Sequence, residues 1–222
     1  MPRHAIDYAD ARNMMVDGQL RPNRVSDPTL LAALRKLPRE RFLPEALRPM
    51  AYGDDDVPLG GGRALLRPLS IARLIQLAEP RRGERALLVG AGAGYGAALL
   101  AACGPTVVAL EEDERLLALC LKVLPELAPA VTVVHGPLAE GWQAGSPYDL
   151  IVIEGAVDQV PASLAAQLKP VGGRLIAVRV AGGHLGHAVV AEASEGGLSA
   201  QPVFDCTAPV LPGMRAAPSF VF

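Results

Sequence analysis

The chain has 222 residues, of which 50% are hydrophobic and 20% are charged, and its formal net charge is −2. This length and composition predict one globular domain over residues 1–222, and the near-neutral charge argues against a nucleic-acid partner. Three scattered cysteines without metal-ligand spacing fit a reducing, cytoplasmic setting. The N-terminus lacks the apolar core of a signal peptide, and no apolar run approaches the length of a membrane span. We therefore expect no membrane partner, and the oligomeric state stays open.

Residues 1–80 predict a helical extension followed by an irregular loop. Loosely helical spacing predicts a first helix from about Ala5 to Gln19. A second helix is expected after Ser26-Asp27-Pro28, where a side-chain acceptor can cap the helix and proline fits its first turn. Residues 52–67 contain three adjacent aspartates and three adjacent glycines, which predict a loop without regular structure. The aspartates indicate a solvated turn and no metal site, because no further ligand has suitable spacing.

From residue 68 onward, helical patterns alternate with apolar runs typical of buried strands. This alternation predicts an α/β fold with a doubly wound, mostly parallel Rossmann-like sheet, a C-terminal antiparallel hairpin and the N-terminal helical extension. The expected helices are 68–77, 95–103, 113–124 and 161–168. The expected strands are 86–89, 107–110, 131–135, 150–153 and 174–180, followed by a hairpin of 187–192 with 198–204. The run 150–153 is apolar on both faces, which predicts a strand at the sheet centre.

A glycine-rich turn, Gly90–Gly94, joins the first core strand to a helix. Glycine tolerates the dihedrals of such a turn, and its missing side chain lets a ligand lie against the backbone. The turn opens onto a helix N-terminus, where free N–H groups face the ligand. Glu111 follows about 20 residues later at the tip of the next strand, where an acid can bond ribose hydroxyls. These features predict a nucleoside-binding core over residues 81–222.

The glycine spacing discriminates between nucleosides. A dinucleotide fingerprint that starts at Gly90 fails at its sixth position, Tyr95, and one that starts at Gly92 no longer abuts the strand. The Gly90-x-Gly92-x-Gly94 spacing resembles the first motif of S-adenosylmethionine-dependent methyltransferases. A nicotinamide-dependent enzyme and a glycine-rich loop without a ligand remain as less favoured alternatives.

An ordered series of motifs resembles the protein-L-isoaspartate O-methyltransferase family. The series runs from Met15 to about Val178 and includes the glycine turn together with the Pro147-Tyr148-Asp149 sequence before an apolar strand. The remaining matches are Met15–Leu20, Leu37–Pro44, Ala51-Tyr52, Pro58–Gly60, Pro161–Leu168 and Gly172–Leu175. Any one of these matches is weak, whereas the ordered set is specific.

The resemblance implies methyl transfer from S-adenosyl-L-methionine to a carboxylate of a damaged aspartyl residue, with a peptide or protein as partner, in protein repair. Because a carboxylate is already a nucleophile, alignment carries much of the rate and no catalytic residue is assigned. The implied substrate loop contains Arg63, Ala64, Leu66 and Arg67. The implied cofactor-binding residues are Gly90, Ala91, Gly92, Gly94, Glu111, Glu112, Pro137 and Leu138.

Four positions depart from the family pattern. Ala64 and Leu66 replace two hydroxyl residues of the substrate loop, Leu88 replaces an acid before the glycine turn, and Pro137 replaces an aspartate expected to bond adenine. These losses predict low activity, and they keep open a second hypothesis, an inactive homologue that uses the fold as a binding or regulatory module. Arg63 and Arg67 flank the altered loop; they are interpreted as surface arginines, with a carboxylate clamp as the alternative.

Three further side chains lie near the predicted pocket. Glu154 follows the central strand and faces either the methyl-transfer site or water, two interpretations that the sequence does not separate. His135 ends a strand and is interpreted as a capped surface residue. Trp142 is expected to pack under the adenine side or in the core.

Overall fold

The computed structural model describes residues 6–180, 186–194 and 197–215. Helix α1 (Tyr8–Met14) begins at Asp7, whose carboxylate accepts hydrogen bonds from two backbone N–H groups of the first turn. It runs directly into a π-helical segment, Met15–Leu20, so the predicted first helix is confirmed, although Ala5 lies outside the described residues. Helix α2 (Pro28–Lys36) begins as predicted, since the Asp27 carboxylate accepts the Leu30 N–H at 2.7 Å.

The loop predicted over residues 52–67 is partly wrong, because it contains a short antiparallel hairpin. Strand β1 (Val57–Gly60) pairs with strand β2 (Arg63–Leu65) as a separate two-stranded sheet. Gly60, Gly61 and Gly62 all have positive φ angles, which glycine adopts without the steric cost of a Cβ atom, and they form the turn. Composition predicted a loop because the glycines that terminate regular structure here also connect two strands.

A seven-stranded sheet forms the core, in the order β5-β4-β3-β6-β7-β8-β9. The first five strands in this order are parallel and the last two are antiparallel, which confirms the predicted architecture. The strands are β3 (Arg85–Val89), β4 (Thr106–Glu111), β5 (Thr132–His135), β6 (Leu150–Val157), β7 (Arg174–Val180), β8 (Gly186–Ser194) and β9 (Gly197–Asp205). The helices are α3 (Pro68–Ala78), α4 (Tyr95–Ala102), α5 (Glu114–Leu127) and α6 (Ala162–Ala165).

Strand β6 lies at the centre of the sheet and is buried along its whole length. The predicted strand 150–153 is therefore confirmed and extends four residues further, to Val157. Helices α3, α4 and α5 cover one face of the sheet, together with the N-terminal extension, and α6 and the segment around Leu211 cover the other. Both faces need cover because the parallel strands are apolar on both sides.

The C-terminal hairpin of β8 and β9 extends the sheet at one edge, as predicted. Residues 195 and 196, which connect the two strands in the sequence, lie outside the described residues. Within the described part of the chain, no helix is long and apolar enough to cross a membrane.

Candidate functional site

The glycine turn folds around the end of β3, and its glycines serve different purposes. The Gly90 and Ala91 N–H groups both donate to the Leu110 carbonyl at 3.0 Å, which locks the turn onto strand β4. Gly94 has a φ of 96°, and a Cβ there would lie 2.8 Å from Leu124 of α5. Gly92 has a φ of 57°, and no atom lies within 4 Å of a Cβ built there. Gly94 therefore serves packing, whereas Gly92 leaves room above the turn.

Glu111 ends β4 beside this turn, and its carboxylate is fully buried. Its Oε1 accepts the backbone N–H groups of Glu112 and Asp113, both at 2.9 Å. Its Oε2 accepts the Gly92 N–H at 2.6 Å. Hydrogen bonds to a carboxylate are shorter and stronger than neutral ones, so three backbone donors hold Glu111 in one orientation toward the turn.

Arg63 completes the surroundings of Glu111. Its Nη1 donates to Oε1 at 2.6 Å and its Nη2 to Oε2 at 2.9 Å, the bidentate geometry that favours Arg–carboxylate pairs. The two side chains are 4% and 0% exposed. The interpretation of Arg63 as a surface arginine is therefore wrong: the hairpin folds over the end of β4 and carries Arg63 inward.

Leu211 also lies against the turn, next to Arg63. It hydrogen-bonds through its N–H to the Ala156 carbonyl at 2.9 Å, so the C-terminal segment runs beside the end of β6. A Cβ at Gly90 would lie 3.0 Å from Leu211 and 3.2 Å from Arg63, and one at Gly155 would lie 2.5 Å from Leu211. Glycine at these two positions allows the C-terminal segment and the hairpin to close against the turn. No motif or periodicity in the sequence indicates Leu211, which lies outside the regular helices and strands.

The predicted adenine side forms around the end of β5. The Glu112 carboxylate accepts the Leu138 N–H at 3.1 Å, and a ring nitrogen of His135 lies 3.1 Å from the Glu112 carbonyl oxygen. His135 and Pro137 are exposed, and Trp142 is half-buried against the apolar residues on the face of the sheet that α6 covers. The structure therefore brings Glu112 and Leu138 together next to Glu111. His135 is an exposed side chain that contacts a backbone carbonyl, which agrees with its interpretation as a capped surface residue.

Arg39 and Tyr95 form a buried pair that the sequence analysis did not identify. Arg39 is fully buried; it donates to the Ala51 carbonyl at 2.6 Å and to the Leu66 carbonyl at 2.5 Å, and its guanidinium lies 4.8 Å from the Tyr95 ring centre. Burial raises the pKa of the Tyr95 hydroxyl, which stays neutral. Arg39 thus ties the N-terminal extension to the backbone of the substrate loop. The only signal for it was its place within the Leu37–Pro44 match.

Glu154 points inward against helix α4. The side chain is buried, and its Oε2 has no hydrogen-bond partner among the described residues. A Cβ at Gly96 would lie 2.1 Å from that oxygen, so only glycine lets the carboxyl fit beneath the helix. Burial raises the Glu154 pKa to about 8, against the opposing effect of Arg63 and Arg39. Of the two interpretations left open, exposure to water is wrong.

The other predicted substrate-loop residues, and Leu88, do not gather around the glycine turn. Leu66 is buried and Ala64 is half-buried on β2. Arg67 donates through its backbone N–H to Asp56 at 2.6 Å and through its side chain to Ser70 at 3.0 Å, so it supports the start of α3. Leu88 is fully buried in the core. Arg63 therefore clamps a carboxylate by itself, that of Glu111, and Arg67 takes no part in it.

Comparisons with known proteins identify the family. The family model for protein-L-isoaspartate(D-aspartate) O-methyltransferase (PCMT) matches residues 11–202. The chain belongs to this family. Protein-L-isoaspartate O-methyltransferase 1 of Rhodopseudomonas palustris (strain HaA2) is 40% identical over 176 residues, 78% of this chain and 70% of the relative. Its counterpart in Methylorubrum extorquens (strain PA1) is 40% identical over 177 residues, 80% and 78% of the two chains.

Solved structures of the same family share the fold. A protein-L-isoaspartate O-methyltransferase superposes with a TM-score of 0.78 at 25% identity, over 91% of this chain and 66% of that one. A Plasmodium falciparum protein described as a β-aspartate methyltransferase, in complex with S-adenosyl-L-homocysteine, superposes with a TM-score of 0.74 at 19% identity, over 90% and 97%. The methyltransferase fold predicted from the glycine turn is confirmed.

Proposed function

We propose that this protein is an S-adenosyl-L-methionine-dependent carboxyl O-methyltransferase that acts on isoaspartyl residues of damaged proteins in the cytoplasm, and that residues 1–222 form one domain. Membership of the isoaspartyl methyltransferase family supports this function. The observation that carries it is the Glu111 carboxylate, which three backbone N–H groups orient beside the glycine turn. An acid at this place in a nucleoside-binding α/β fold bonds ribose hydroxyls.

The residues around the turn fit the cofactor. Gly92 leaves open space above the turn, Glu111 holds a fixed carboxylate beside it that is paired with Arg63, and Glu112 with Leu138 borders the adenine side. Leu88 is core, so no carboxylate is available there for the ammonium group of the cofactor. We expect weaker cofactor binding than a site with that carboxylate would give, because a hydrogen bond to a charged group contributes about 1.5–3 kcal/mol.

Methyl transfer to a carboxylate mainly requires that the protein align the two reactants. When bound, S-adenosyl-L-methionine supplies a sulfonium methyl group to the acceptor carboxylate. The chain must hold that carboxylate in line and exclude water from the approach, which reduces the entropic part of the barrier. Arg39 fixes the Leu66 backbone at the position where the family places a hydroxyl, so the loop is held although that hydroxyl is lost. A peptide bound here would then depend on backbone groups of the hairpin.

Calorimetry with S-adenosyl-L-homocysteine tests the Glu111 assignment. Glu111→Ala is expected to weaken binding by about 1.5–3 kcal/mol, the range for hydrogen bonds that involve a charged group. Glu114→Ala removes an exposed acid three residues away and is the matched control, with binding unchanged. An unaltered dissociation constant in a folded Glu111→Ala protein would show that the ribose is bound elsewhere.

A further inference from the structure

The hydrogen-bonding capacity of Glu111 is already in use. An ionised carboxylate offers about four lone-pair positions, and Glu111 accepts five N–H groups. Three of these donors are backbone groups of the glycine turn and of the start of α5, whose positions are set by the fold. The two donors that can leave belong to Arg63. Ribose hydroxyls can therefore reach Glu111 only if the guanidinium moves away.

The Arg63 guanidinium also occupies space against the glycine turn. Its Nη2 would lie 3.2 Å from a Cβ built at Gly90, so the guanidinium fills the space in front of that glycine. Arg63 and a bound nucleoside would thus compete for the Glu111 carboxylate and for the same space in front of the turn. This overlap makes them mutually exclusive at the ribose position.

The position of Arg63 in the hairpin would allow its guanidinium to leave Glu111 and move into solvent. It is the first residue of β2 and directly follows the exposed turn Gly60–Gly62. The hairpin is a separate two-stranded sheet, so moving its tip breaks no hydrogen bond of the main sheet. In water the guanidinium regains full solvation, which lowers the cost of separating a buried ion pair.

We propose that Arg63 is an internal competitor for the ribose-binding carboxylate, so that cofactor binding displaces Arg63 from Glu111 and moves the β1–β2 hairpin. This inference rests on the proposed function, because it assumes that Glu111 binds the ribose. It makes the substrate loop responsive to the cofactor: the hairpin that carries Ala64 and Leu66 changes position when the nucleoside binds. Arg63 then sets cofactor affinity and couples the two ligands.

Affinity measurements on paired arginine variants test this coupling. Arg63→Gln is expected to bind S-adenosyl-L-homocysteine at least tenfold more tightly than the unmodified protein. Arg41→Gln is the control, since Arg41 pairs with Glu126 at the surface and not with Glu111, and its affinity is expected to be unchanged. If Arg63→Gln folds poorly, Arg63→Lys keeps the positive charge but loses the bidentate geometry toward Glu111, and it is expected to tighten binding by a smaller factor.

Hydrogen exchange and binding kinetics provide readouts independent of affinity. In the unmodified protein, S-adenosyl-L-homocysteine is expected to increase amide exchange in residues 57–65, and the observed association rate is expected to saturate with ligand concentration. In Arg63→Gln, the rate is expected to rise linearly, because no displacement step precedes binding.

The outcomes separate the coupling from the function. Equal or weaker binding by a folded Arg63→Gln protein, while Glu111→Ala loses affinity, overturns the competitor role and leaves the proposed function standing. Binding by Arg63→Gln but not by the unmodified protein supports the competitor role. Absence of binding by every variant removes the ribose role of Glu111 and with it both proposals.

Discussion

The glycine turn and the substrate hairpin meet at Glu111 but are built on different principles. The turn is held by backbone hydrogen bonds to β4 and by close packing of Gly94 against α5, so its shape depends little on side chains. The hairpin is attached by side chains, through Arg63 to Glu111 and through Arg39 to the Leu66 carbonyl. Departures from the family pattern are therefore distributed differently: the substrate loop has exchanged two hydroxyls for the apolar residues Ala64 and Leu66, while the turn keeps its glycines.

Removing Arg39 is expected to cause the largest loss of stability, because it detaches the hairpin from the core. Arg39→Met leaves the Ala51 and Leu66 carbonyls without donors, and each buried unsatisfied group costs about 1–3 kcal/mol. We expect unfolding free energy to fall by about 3–5 kcal/mol in urea titrations.

Arg41→Met is the control for this variant. Arg41 pairs with Glu126 at the surface, where the side chains are 40% and 60% exposed, and such pairs contribute about 0–1 kcal/mol. Similar losses in the two variants would show that the buried arginine does not anchor the hairpin.

Two alanine substitutions within the turn are expected to separate packing from ligand binding. Gly94→Ala places a Cβ 2.8 Å from Leu124 at a φ of 96°, so we expect a stability loss of about 2–4 kcal/mol. Gly92→Ala meets no atom within 4 Å and costs only the backbone strain of about 1–2 kcal/mol, but it projects into the proposed cofactor space. Thermal melts and S-adenosyl-L-homocysteine titrations of both proteins measure the two effects. If both folded variants lost the same affinity for S-adenosyl-L-homocysteine, the assignment of packing to Gly94 and of ligand binding to Gly92 would be contradicted.

A smaller effect is expected from Glu154, which lies between the two regions. Its folded-state pKa is raised to about 8 from an ordinary value of 4.5, so the unfolded chain releases the proton first as the pH rises. Between these two pKa values the folded state binds more protons, and stability is therefore expected to fall as the pH rises from 4.5 toward 8.

Glu154→Gln removes this titration and is expected to flatten the pH dependence, because a neutral amide exchanges no proton when the chain unfolds. Glu114→Gln, at an exposed position, is expected to leave the profile unchanged. Parallel pH profiles for the unmodified and Glu154→Gln proteins would show that Glu154 is ionised in the folded state.

Most of the fold could be predicted from the sequence because its signals are local. Apolar runs, the Asp27-Pro28 cap and the glycine turn each specify an element without reference to distant residues. The β1–β2 hairpin was missed because three adjacent glycines indicate a loop as readily as a turn between strands.

Only the local part of the candidate site could be predicted from the sequence. Glu111 and its turn follow from spacing along the chain, whereas the Arg63–Glu111 pair joins residues 48 positions apart. Leu211 reaches the turn from the C-terminal segment, and Arg39 reaches the Leu66 carbonyl from the N-terminal extension. No periodicity or motif records such contacts, so only the structure reveals which side chains close the site. The assignment of cofactor residues around Glu112 and Leu138, and of one domain over residues 1–222, stays a prediction.

Methyl transfer to an isoaspartyl peptide, compared with its normal aspartyl counterpart, tests the central claim most directly. We predict methyl ester formation on the isoaspartyl peptide alone, at a low rate because Ala64 and Leu66 lack hydroxyls. The rate is expected to rise in the Ala64→Thr/Leu66→Ser double variant and to drop in Glu111→Ala at subsaturating S-adenosyl-L-methionine. Equal methylation of the two peptides, or none by a protein that binds S-adenosyl-L-homocysteine, would contradict an isoaspartyl methyltransferase.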